Sequence, residues 1–206
     1  MNSDDRTTLL LVRHGATAWT RDRRLQGRTD IDLSAAGRRD VAALGAALVT
    51  WAPRSLVVSP LRRTRTTAAL LSDAFRRAGR DIPDPVIDAG WTEHGLGDWE
   101  GLTPSEIGAD YGRWRAGELI PPAGESAAGI RARVTAAVRR AAALPGPVLV
   151  VTHGGTIRAA LSICVGLPAG TVEPVAAPSL TVLDVPAVPT DRSGAIAGRL
   201  RHFNLR

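Results

Sequence analysis

The hydrophobic pattern along the chain predicts alternating strands and helices. Near-continuous apolar runs of strand length occur at 7–12 and 148–151, and such runs are typical of strands covered on both faces. Further strands are predicted at 55–58, near 86–87, at 180–185 and at 195–203.

Helices are predicted where apolar residues recur at steps of three and four. Val41, Leu44, Leu48 and Trp51 have this spacing and follow a candidate N-cap at Ser34. Other helices are predicted at about 61–75, at 104–115, at 130–144 and after Gly155. Alternation of this kind favours a single α/β domain over residues 1–206, a three-layer α/β/α sandwich with a mostly parallel central sheet.

Length and composition are those of one soluble globular domain, since the 206 residues are 44% apolar and 22% charged. No stretch approaches the roughly 18 consecutive apolar residues of a membrane span. The first six residues, MNSDDR, lack the basic start and the long apolar run of a secretory signal. We therefore expect a cytoplasmic protein with no membrane partner.

The net charge of +6 comes from arginine, because the chain has no lysine among its 26 basic residues. Nucleic-acid-binding proteins usually cluster their basic residues and interleave aromatics, whereas these arginines are dispersed and aromatic residues make up 4% of the chain. We expect no nucleic-acid partner and an attraction for small anions. Cys164 is the only cysteine, which excludes an internal disulfide, and its apolar neighbours indicate a buried side chain.

Reactive side chains follow three of the predicted strands directly. Arg13-His14-Gly15 follows the first strand, SPLRR at 59–63 follows the second, and Thr152-His153-Gly154-Gly155 follows the late strand. Because the carboxyl ends of parallel strands meet at one edge of a sheet, we expect both histidines and the arginines to converge there. The glycines give backbone freedom, and a glycine pair at a helix N-terminus is a natural anion site.

In their order along the chain, these motifs resemble those of the histidine phosphatase superfamily, also called phosphoglycerate mutase-like. LVRHG at 11–15 is similar to the family signature, with Thr17 and Trp19 in their usual places, and RLQG at 24–27 is similar to its phosphate-binding turn. The pattern S-x-L-x-R-x-x-x-T-A fits residues 59–68 and selects Arg63 over Arg62 as the inward arginine. The acid-bearing segment EHGLGDWEG at 93–101, GES at 124–126 and THGG at 152–155 complete the order.

The resemblance implies an enzyme that hydrolyses a small phosphorylated metabolite, a phosphomonoester, without a metal ion or other cofactor. It implies that His14 attacks phosphorus and forms a phosphohistidine, while Glu93 is the general acid and base. The implied phosphate-binding groups are Arg13, Arg63, His153, Gln26, Gly27 and Gly154.

The chain departs from the family at three positions. Ala16 replaces the usual Glu or Gln, Thr20 replaces a frequent Asn, and Ala123 replaces a frequent Gly. Because Thr20 removes one expected phosphate ligand, no binding role is assigned to it. Three further polar residues are expected to be structural or non-catalytic: Glu100, His94 and His202.

Other functions stay open at this point. A phosphoglycerate mutase would return the phosphoryl group to another hydroxyl, but mutases usually have a longer insertion than the 22 residues, 102–123, that separate Gly101 from Gly124. A catalytically silent phosphate-binding protein would keep the fold without the reaction. A zinc hydrolase built on His14 and His153 lacks a persuasive third ligand, and the flanking arginines would repel a cation.

Two interpretations of segment 102–123 stay open. It either overhangs the pocket as a lid that sets specificity, or it forms a solvated helix with one buried tryptophan. The sequence does not determine the oligomeric state, for which a symmetric homodimer is the general prior because closed two-fold assemblies are the commonest.

Overall fold

A computed structural model describes residues 6–168, 171–187 and 196–206. Its described strands form one six-stranded sheet in the order β3-β2-β4-β1-β5-β6. The strands are β1 (Arg6–Arg13), β2 (Ser55–Val58), β3 (Val86–Ile87), β4 (Val148–Thr152), β5 (Ser179–Pro186) and β6 (Arg199–Leu205). The helices are α1 (Ala18–Arg21), α2 (Ala35–Leu48), α3 (Arg62–Arg77), α4 (Pro104–Ile107), α5 (Ala109–Arg115), α6 (Ala127–Ala142) and α7 (Gly154–Val165).

The sheet is mixed, with its parallel part on one side. Strands β1, β4, β2 and β3 pair in parallel, whereas β5 and β6 add in antiparallel fashion beside β1. The two strands with the most continuous apolar sequence, β1 and β4, lie next to each other at the centre, where Leu11 is opposite Val150. The expected α/β fold with a mostly parallel sheet is confirmed.

Alternate residues of β1 enter two different hydrophobic cores, which explains why its sequence is apolar throughout. Leu9 and Leu11 pack with residues of α6 and α7, whereas Leu10 and Val12 pack with residues of α2 and α3. All four leucine and valine side chains are fully buried. Helices therefore cover both faces of the sheet, as the three-layer prediction requires.

The start of α2 agrees with its predicted cap, whereas several other element boundaries differ from the prediction. The Ser34 hydroxyl accepts a hydrogen bond from the Gly37 N–H and so caps α2. The helix predicted at 104–115 is wrong as a single element, because Gly108 at φ +73° divides it into α4 and α5. The α2 helix ends at Leu48 and continues as a 3₁₀ turn, Val49–Trp51. The last predicted strand, 195–203, is displaced to Arg199–Leu205, and residue 195 lies outside the described residues.

Cys164 lies in α7 and is 3% exposed, so its prediction as a small buried side chain is confirmed. Burial raises the pKa of its thiol to about 12. His202 lies in β6, as expected. None of the helices within the described ranges is long and apolar enough to cross a membrane.

Candidate active site

The carboxyl ends of β1, β4 and β2 bring the two motif histidines together. His14 follows β1 and donates its backbone N–H to Thr152 O at 3.0 Å, while Ser59 follows β2 and donates to Val151 O at 3.0 Å. His153 follows β4 directly, and its ring centroid lies 5.1 Å from that of His14, edge to face. The parallel pairing of β1 with β4 therefore places both histidines at one edge of the sheet, as the sequence predicted.

His14 is held in one tautomer by its own loop. Its Nδ1 lies 2.7 Å from Gly15 O, and because a carbonyl oxygen only accepts, Nδ1 carries the proton. The lone pair is then on Nε2. The ring is 2% exposed, and its burial together with the charges of Arg63 and Arg13 lowers the pKa of His14 well below 6.5. His14 is therefore a neutral imidazole with Nε2 free to attack.

Gly15 is required for close packing, which corrects the expectation of unusual backbone freedom. It is absent from the glycines with positive φ among the described residues. A Cβ at this position would lie 2.6 Å from Val41 Cγ2 and 2.7 Å from Gly37 O, so the His14 loop rests directly on α2. The Gly15 N–H also donates to Thr67 Oγ1 at 3.1 Å, which ties this loop to α3.

Arg63 is fully buried on the first turn of α3, whereas the neighbouring Arg62 is exposed. Its NH2 donates to Gly27 O at 2.6 Å and its NH1 to Thr29 O at 2.8 Å, while its Nε lies 3.3 Å from His153 Nδ1. A guanidinium has five N–H bonds, so two of them are left after these three contacts. The side chain is thus fixed by protein groups and keeps donor capacity for an anion.

Arg63 also sets the tautomer of His153. Since a guanidinium cannot accept, His153 Nδ1 must be the acceptor and Nε2 must carry the proton. That Nε2 lies 2.7 Å from Ser59 Oγ and donates to it. Burial and the charge of Arg63 lower the pKa of His153 well below 6.5. His153 is therefore a neutral N–H donor beside His14.

Arg13, the last residue of β1, brings a second guanidinium to this edge. Its NH1 donates to Val175 O, and its buried Nε has no partner within the described residues. Burial lowers the pKa of Arg13 to about 10, so the group stays charged at neutral pH. A Cβ at position 154 would lie 3.3 Å from Arg13 Nε, which places Gly154 against this side chain.

Glu93 occupies the N-terminus of α7, which the sequence had suggested as an anion site formed by the glycine pair. Its Oε2 accepts from the Gly155 N–H and its Oε1 from the Thr156 N–H, each at 3.1 Å. The His94 N–H donates to Oε1 at 2.9 Å. The first N–H groups of the helix therefore hold a protein carboxylate, and they place Glu93 at the helix terminus that His153 caps.

Arg133 anchors the segment that carries Glu93, and the sequence analysis missed it. From α6 its NH1 donates to Gly90 O at 2.9 Å and Thr92 O at 2.7 Å. Its Nε and NH2 bind both carboxylate oxygens of Glu125, at 2.9 and 2.7 Å. The only available signal was Glu125 in its GES motif, because an arginine eight residues later has no distinctive pattern in an arginine-rich chain.

A sequence profile of the histidine phosphatase superfamily (branch 1) matches residues 9–187. This chain belongs to the histidine phosphatase superfamily. Glucosyl-3-phosphoglycerate phosphatase from Mycolicibacterium vanbaalenii is 34% identical over 179 residues, which cover 78% of this chain and 75% of that protein.

Two further relatives extend the comparison. The protein named "Probable phosphoglycerate mutase GpmB" from Citrobacter koseri is 33% identical over 168 residues, covering 77% of this chain and 75% of its own length. The solved structure of a mycobacterial glucosyl-3-phosphoglycerate phosphatase in complex with VO3 superimposes with a TM-score of 0.82 at 29% identity, covering 97% of this chain and 100% of that one. The family assignment and the phosphatase class of the sequence analysis are both confirmed.

Within this histidine phosphatase, Thr20 takes part in supporting contacts. Its hydroxyl accepts from Gln26 Nε2 at 3.0 Å, and with Thr17 it forms a capping box at α1. Gln26 Oε1 is buried and has no partner in the described part of the chain. Rotating the Gln26 amide would let the Thr20 hydroxyl donate to Oε1 and would turn the NH₂ group into the space that Oε1 now faces.

Gly27 and Glu100 shape the loop that holds Arg63. Gly27 has φ +49°, and a Cβ there would overlap the Glu100 carboxylate. Glu100 accepts backbone hydrogen bonds from Arg28, Thr29 and Leu96 at 2.8, 2.8 and 3.1 Å. Glu100 is therefore structural, as expected, and it orients the carbonyls that bind Arg63. His94 is likewise tied to structure, because its Nε2 lies 3.0 Å from Glu125 O.

Segment 102–123 forms α4, α5 and a loop beside a cavity of about 510 Å³. Trp114 is half-buried and packs on Trp99, Tyr111 and His94, with ring centroids 5.6 to 6.1 Å apart. Residues 114–121 contribute most of one wall of the cavity. The segment therefore faces this cavity on one side and is exposed on the other.

No three His, Cys, Asp or Glu side chains are grouped as metal ligands in the described ranges. A zinc site on the two motif histidines would also have to displace Arg63 from His153 Nδ1. Metal independence stays a prediction, which chelation tests.

Proposed function

We propose that this protein is a phosphatase that hydrolyses a small phosphomonoester through a phosphohistidine on His14, with Glu93 as the general acid and base. The observation that carries this proposal is the opposite tautomers of the two histidines. Gly15 O fixes the proton of His14 on Nδ1, and Arg63 fixes the proton of His153 on Nε2. One ring thus presents a lone pair and the other an N–H.

The first step forms the covalent intermediate. The Nε2 lone pair of His14 forms the N–P bond, and the P–O bond to the ester oxygen breaks. Glu93 gives a proton to the leaving oxygen, so the product alcohol departs as a neutral molecule. In the second step water attacks phosphorus, Glu93 takes its proton, and the N–P bond breaks to restore neutral His14. No metal ion or other cofactor is required.

Charge on the transferring phosphoryl group is stabilised by positioned donors. Arg13 and Arg63 supply guanidinium forks, and His153 supplies its single Nε2–H once a phosphate oxygen replaces Ser59 Oγ as its acceptor. Three contacts already orient Arg63, so little conformational entropy is lost when phosphate binds. The Gln26 amide in its rotated state and the backbone of Gly27 and Gly154 complete the proposed phosphate site.

Mutase chemistry is the second candidate, because several relatives carry a phosphoglycerate mutase name. A mutase must retain the phosphoryl group and exclude water until the acceptor hydroxyl is in place. Segment 102–123 is shorter than the insertion that mutases usually have, which supports access of water and therefore hydrolysis.

Release of inorganic phosphate from p-nitrophenyl phosphate and from a panel of phosphorylated metabolites tests the proposal. The panel includes glucosyl-3-phosphoglycerate, on which the mycobacterial relatives act by name. We expect metal-independent release that persists in excess EDTA. Interconversion of 2- and 3-phosphoglycerate without free phosphate would establish the mutase instead. If no ester released phosphate between pH 5 and pH 9, the protein would instead be a catalytically silent phosphate-binding protein.

The remaining assignments are proposals of the same kind. We propose that the protein is a cytoplasmic homodimer that does not bind nucleic acid. The dispersed arginines support the absence of nucleic-acid binding, and the prevalence of two-fold assemblies supports the dimer. Light scattering after size-exclusion chromatography measures the oligomeric state, and a monomer mass at micromolar concentration would contradict the dimer.

A further inference from the structure

We propose that Asn204 is a positioning residue for phosphate binding: its side-chain amide clamps the loop 174–176, and the Val175 carbonyl of that loop orients the Arg13 guanidinium. The inference rests on the proposed function, in which Arg13 belongs to the phosphate site. It adds a residue of the edge strand β6 that acts on phosphate only through Arg13.

The orientation of Arg13 depends on Val175. Among the described residues, Val175 O accepts the one hydrogen bond that the Arg13 side chain donates, through NH1, and the buried Nε has no partner. Burial lowers the pKa of Arg13 and the charge of Glu93 opposes that shift, yet the two side chains form no ion pair in the described structure. Since a hydrogen bond is directional and attraction by a more distant charge is not, Val175 O fixes the direction of the guanidinium.

Asn204 binds the two peptide groups that flank Val175. Its Oδ1 accepts from the Ala176 N–H at 2.6 Å, and its Nδ2 donates to Pro174 O at 3.4 Å. A side-chain amide has both an acceptor and donors, so it pairs with the N–H and the C=O of a backbone segment as a neighbouring strand would. The amide therefore holds the loop on both sides of Val175.

The peptide between Val175 and Ala176 transmits this contact to Arg13. The Val175 carbonyl and the Ala176 N–H belong to one planar trans peptide, so they point in opposite directions. Asn204 Oδ1 binds the N–H on one side, and Arg13 NH1 binds the oxygen on the other side. One rigid group therefore connects the amide on β6 with the guanidinium at the end of β1.

A β-bulge directs the Asn204 side chain toward the loop. While β5 advances two residues, 180–182, its partner β6 advances three, 202–205, so β6 contains one extra residue. Asn204 lies in this bulge at φ +63°, and of the non-glycine residues with positive φ in the described ranges it is the one within a strand. Asparagine adopts this backbone region more readily than most residues with a side chain. The position therefore suits asparagine for its backbone and for its amide.

Two further contacts hold the loop without fixing the direction of the Val175 carbonyl. The Val175 side chain is 2% exposed and packs in the core beside α6 and α7, and Ser179 Oγ donates to Ala176 O at 2.8 Å. Neither contact involves the peptide between Val175 and Ala176. Loss of the Asn204 amide should therefore release this peptide while the loop and the core stay in place.

Asn204→Gly tests the inference, because glycine keeps the positive φ and removes the amide. We expect kcat/KM for p-nitrophenyl phosphate to fall at least fivefold and the dissociation constant of inorganic phosphate, measured by titration calorimetry, to rise at least threefold. In an Arg13→Gln background the same substitution should change kcat/KM less than twofold, because the guanidinium that the carbonyl orients is gone. This double-mutant cycle separates positioning of Arg13 from an effect on the fold, which would be equal in both backgrounds.

His202→Gly is the matched control. It also places a glycine in β6, two residues from Asn204, but removes an exposed side chain that packs on Trp51. Its kcat/KM and its affinity for inorganic phosphate should stay within twofold of the wild type. Thermal denaturation of both variants checks that each is folded at the assay temperature.

Unchanged kinetics and phosphate affinity in Asn204→Gly would overturn the inference. An equal loss in His202→Gly, or an equal loss in the two Arg13 backgrounds, would overturn it as well. Phosphate binding does not require turnover, so a wild-type protein that binds inorganic phosphate but hydrolyses no ester would overturn the proposed phosphatase, while the phosphate affinity of Asn204→Gly would still decide the inference. A wild-type protein that neither binds phosphate nor hydrolyses p-nitrophenyl phosphate would overturn both.

Discussion

The backbone N–H of Gly155 donates to Glu93 Oε2 across 3.1 Å, and a Cβ on Gly155 would overlap the same carboxylate. The absence of a side chain at position 155 therefore lets the proposed acid reach the first turn of α7. Thr156 completes the arrangement by donating to Oε1 from the next peptide. One helix terminus thus positions the proposed catalytic carboxylate.

Gly155→Ala is predicted to lower kcat at least tenfold, because the added methyl group displaces the Glu93 carboxylate and positioned acid–base groups contribute about 10²–10⁴-fold. Since the overlap is with the end of a flexible side chain, thermal stability should change little. Gly112→Ala is the control: a Cβ at this helical glycine of α5 meets no atom within 4 Å. Phosphate-release kinetics and thermal denaturation measure both effects. Retention of full kcat by Gly155→Ala would show that Glu93 acts from another position or does not act.

Arg133→Met is predicted to lower both kcat and stability. It removes the donors to Gly90 O and Thr92 O and leaves the Glu125 carboxylate with Arg28 as its remaining side-chain partner. The pair is only 18% and 13% exposed, so we expect a loss of about 2–3 kcal/mol in the free energy of unfolding. We expect kcat to fall more than KM rises, because the displaced group is the proposed acid.

Arg140→Met supplies the control for that variant. Arg140 lies on the same helix, α6, and pairs with Asp88, but its side chain is 55% exposed. An exposed pair contributes at most about 1 kcal/mol, so this variant should be nearly as stable and as active as the wild type. Urea denaturation and steady-state kinetics are measured on both variants. Because each variant loses one positive charge from α6, a larger effect in Arg133→Met is due to the lost anchoring of the Glu93 segment. Equal effects of the two substitutions would contradict the anchoring role.

Because His14 and His153 are buried as neutral rings, we expect the free energy of unfolding to decrease in mild acid. The pKa values of His14 and His153 are lowered in the folded state, so the unfolded chain binds protons that the folded chain does not once pH falls below about 6.5. The free energy of unfolding should therefore decrease from pH 7.5 to pH 5.5, by about 1.4 kcal/mol for each histidine.

Denaturation of His14→Gln over the same pH range checks the assignment. The variant removes one of the two groups, so its pH-dependent loss should be roughly half that of the wild-type protein. A wild-type stability that does not change between pH 7.5 and 5.5 would contradict the buried neutral histidines.

The central sheet could be predicted from sequence because its two central strands are apolar at nearly every position. Alternate residues of β1 must fill cores on opposite faces, and Leu9 and Leu10 show this directly. The approach of His14 to His153 was also predictable, since both follow parallel strands. The division of residues 104–115 at Gly108 was not, because a helical pattern tolerates an isolated glycine and carries no information on the sign of φ.

The contacts that support the site could not be predicted from hydrophobic periodicity or from motif spacing. Arg63 and Arg133 bind backbone carbonyls between 34 and 43 residues away in sequence, and a carbonyl is present at every residue. In a chain whose basic residues are all arginine, residue type alone does not distinguish a buried arginine from an exposed one. The position of Glu93 at α7 likewise depends on the tertiary packing of α7 against the 89–93 segment. Family resemblance selected Arg63 and Glu93, whereas the anchoring role of Arg133 emerged only from the fold.

Trapping of the covalent intermediate tests the phosphohistidine mechanism most directly. The protein is mixed with p-nitrophenyl phosphate, quenched in alkali within milliseconds, digested with trypsin and analysed by mass spectrometry. Cleavage after Arg13 and Arg21 releases a peptide, residues 14–21, in which His14 is the sole histidine. We predict an acid-labile, base-stable phosphate on this peptide that is absent, together with turnover, in His14→Ala. Normal turnover by His14→Ala, or a phosphate on any other residue, would contradict the mechanism.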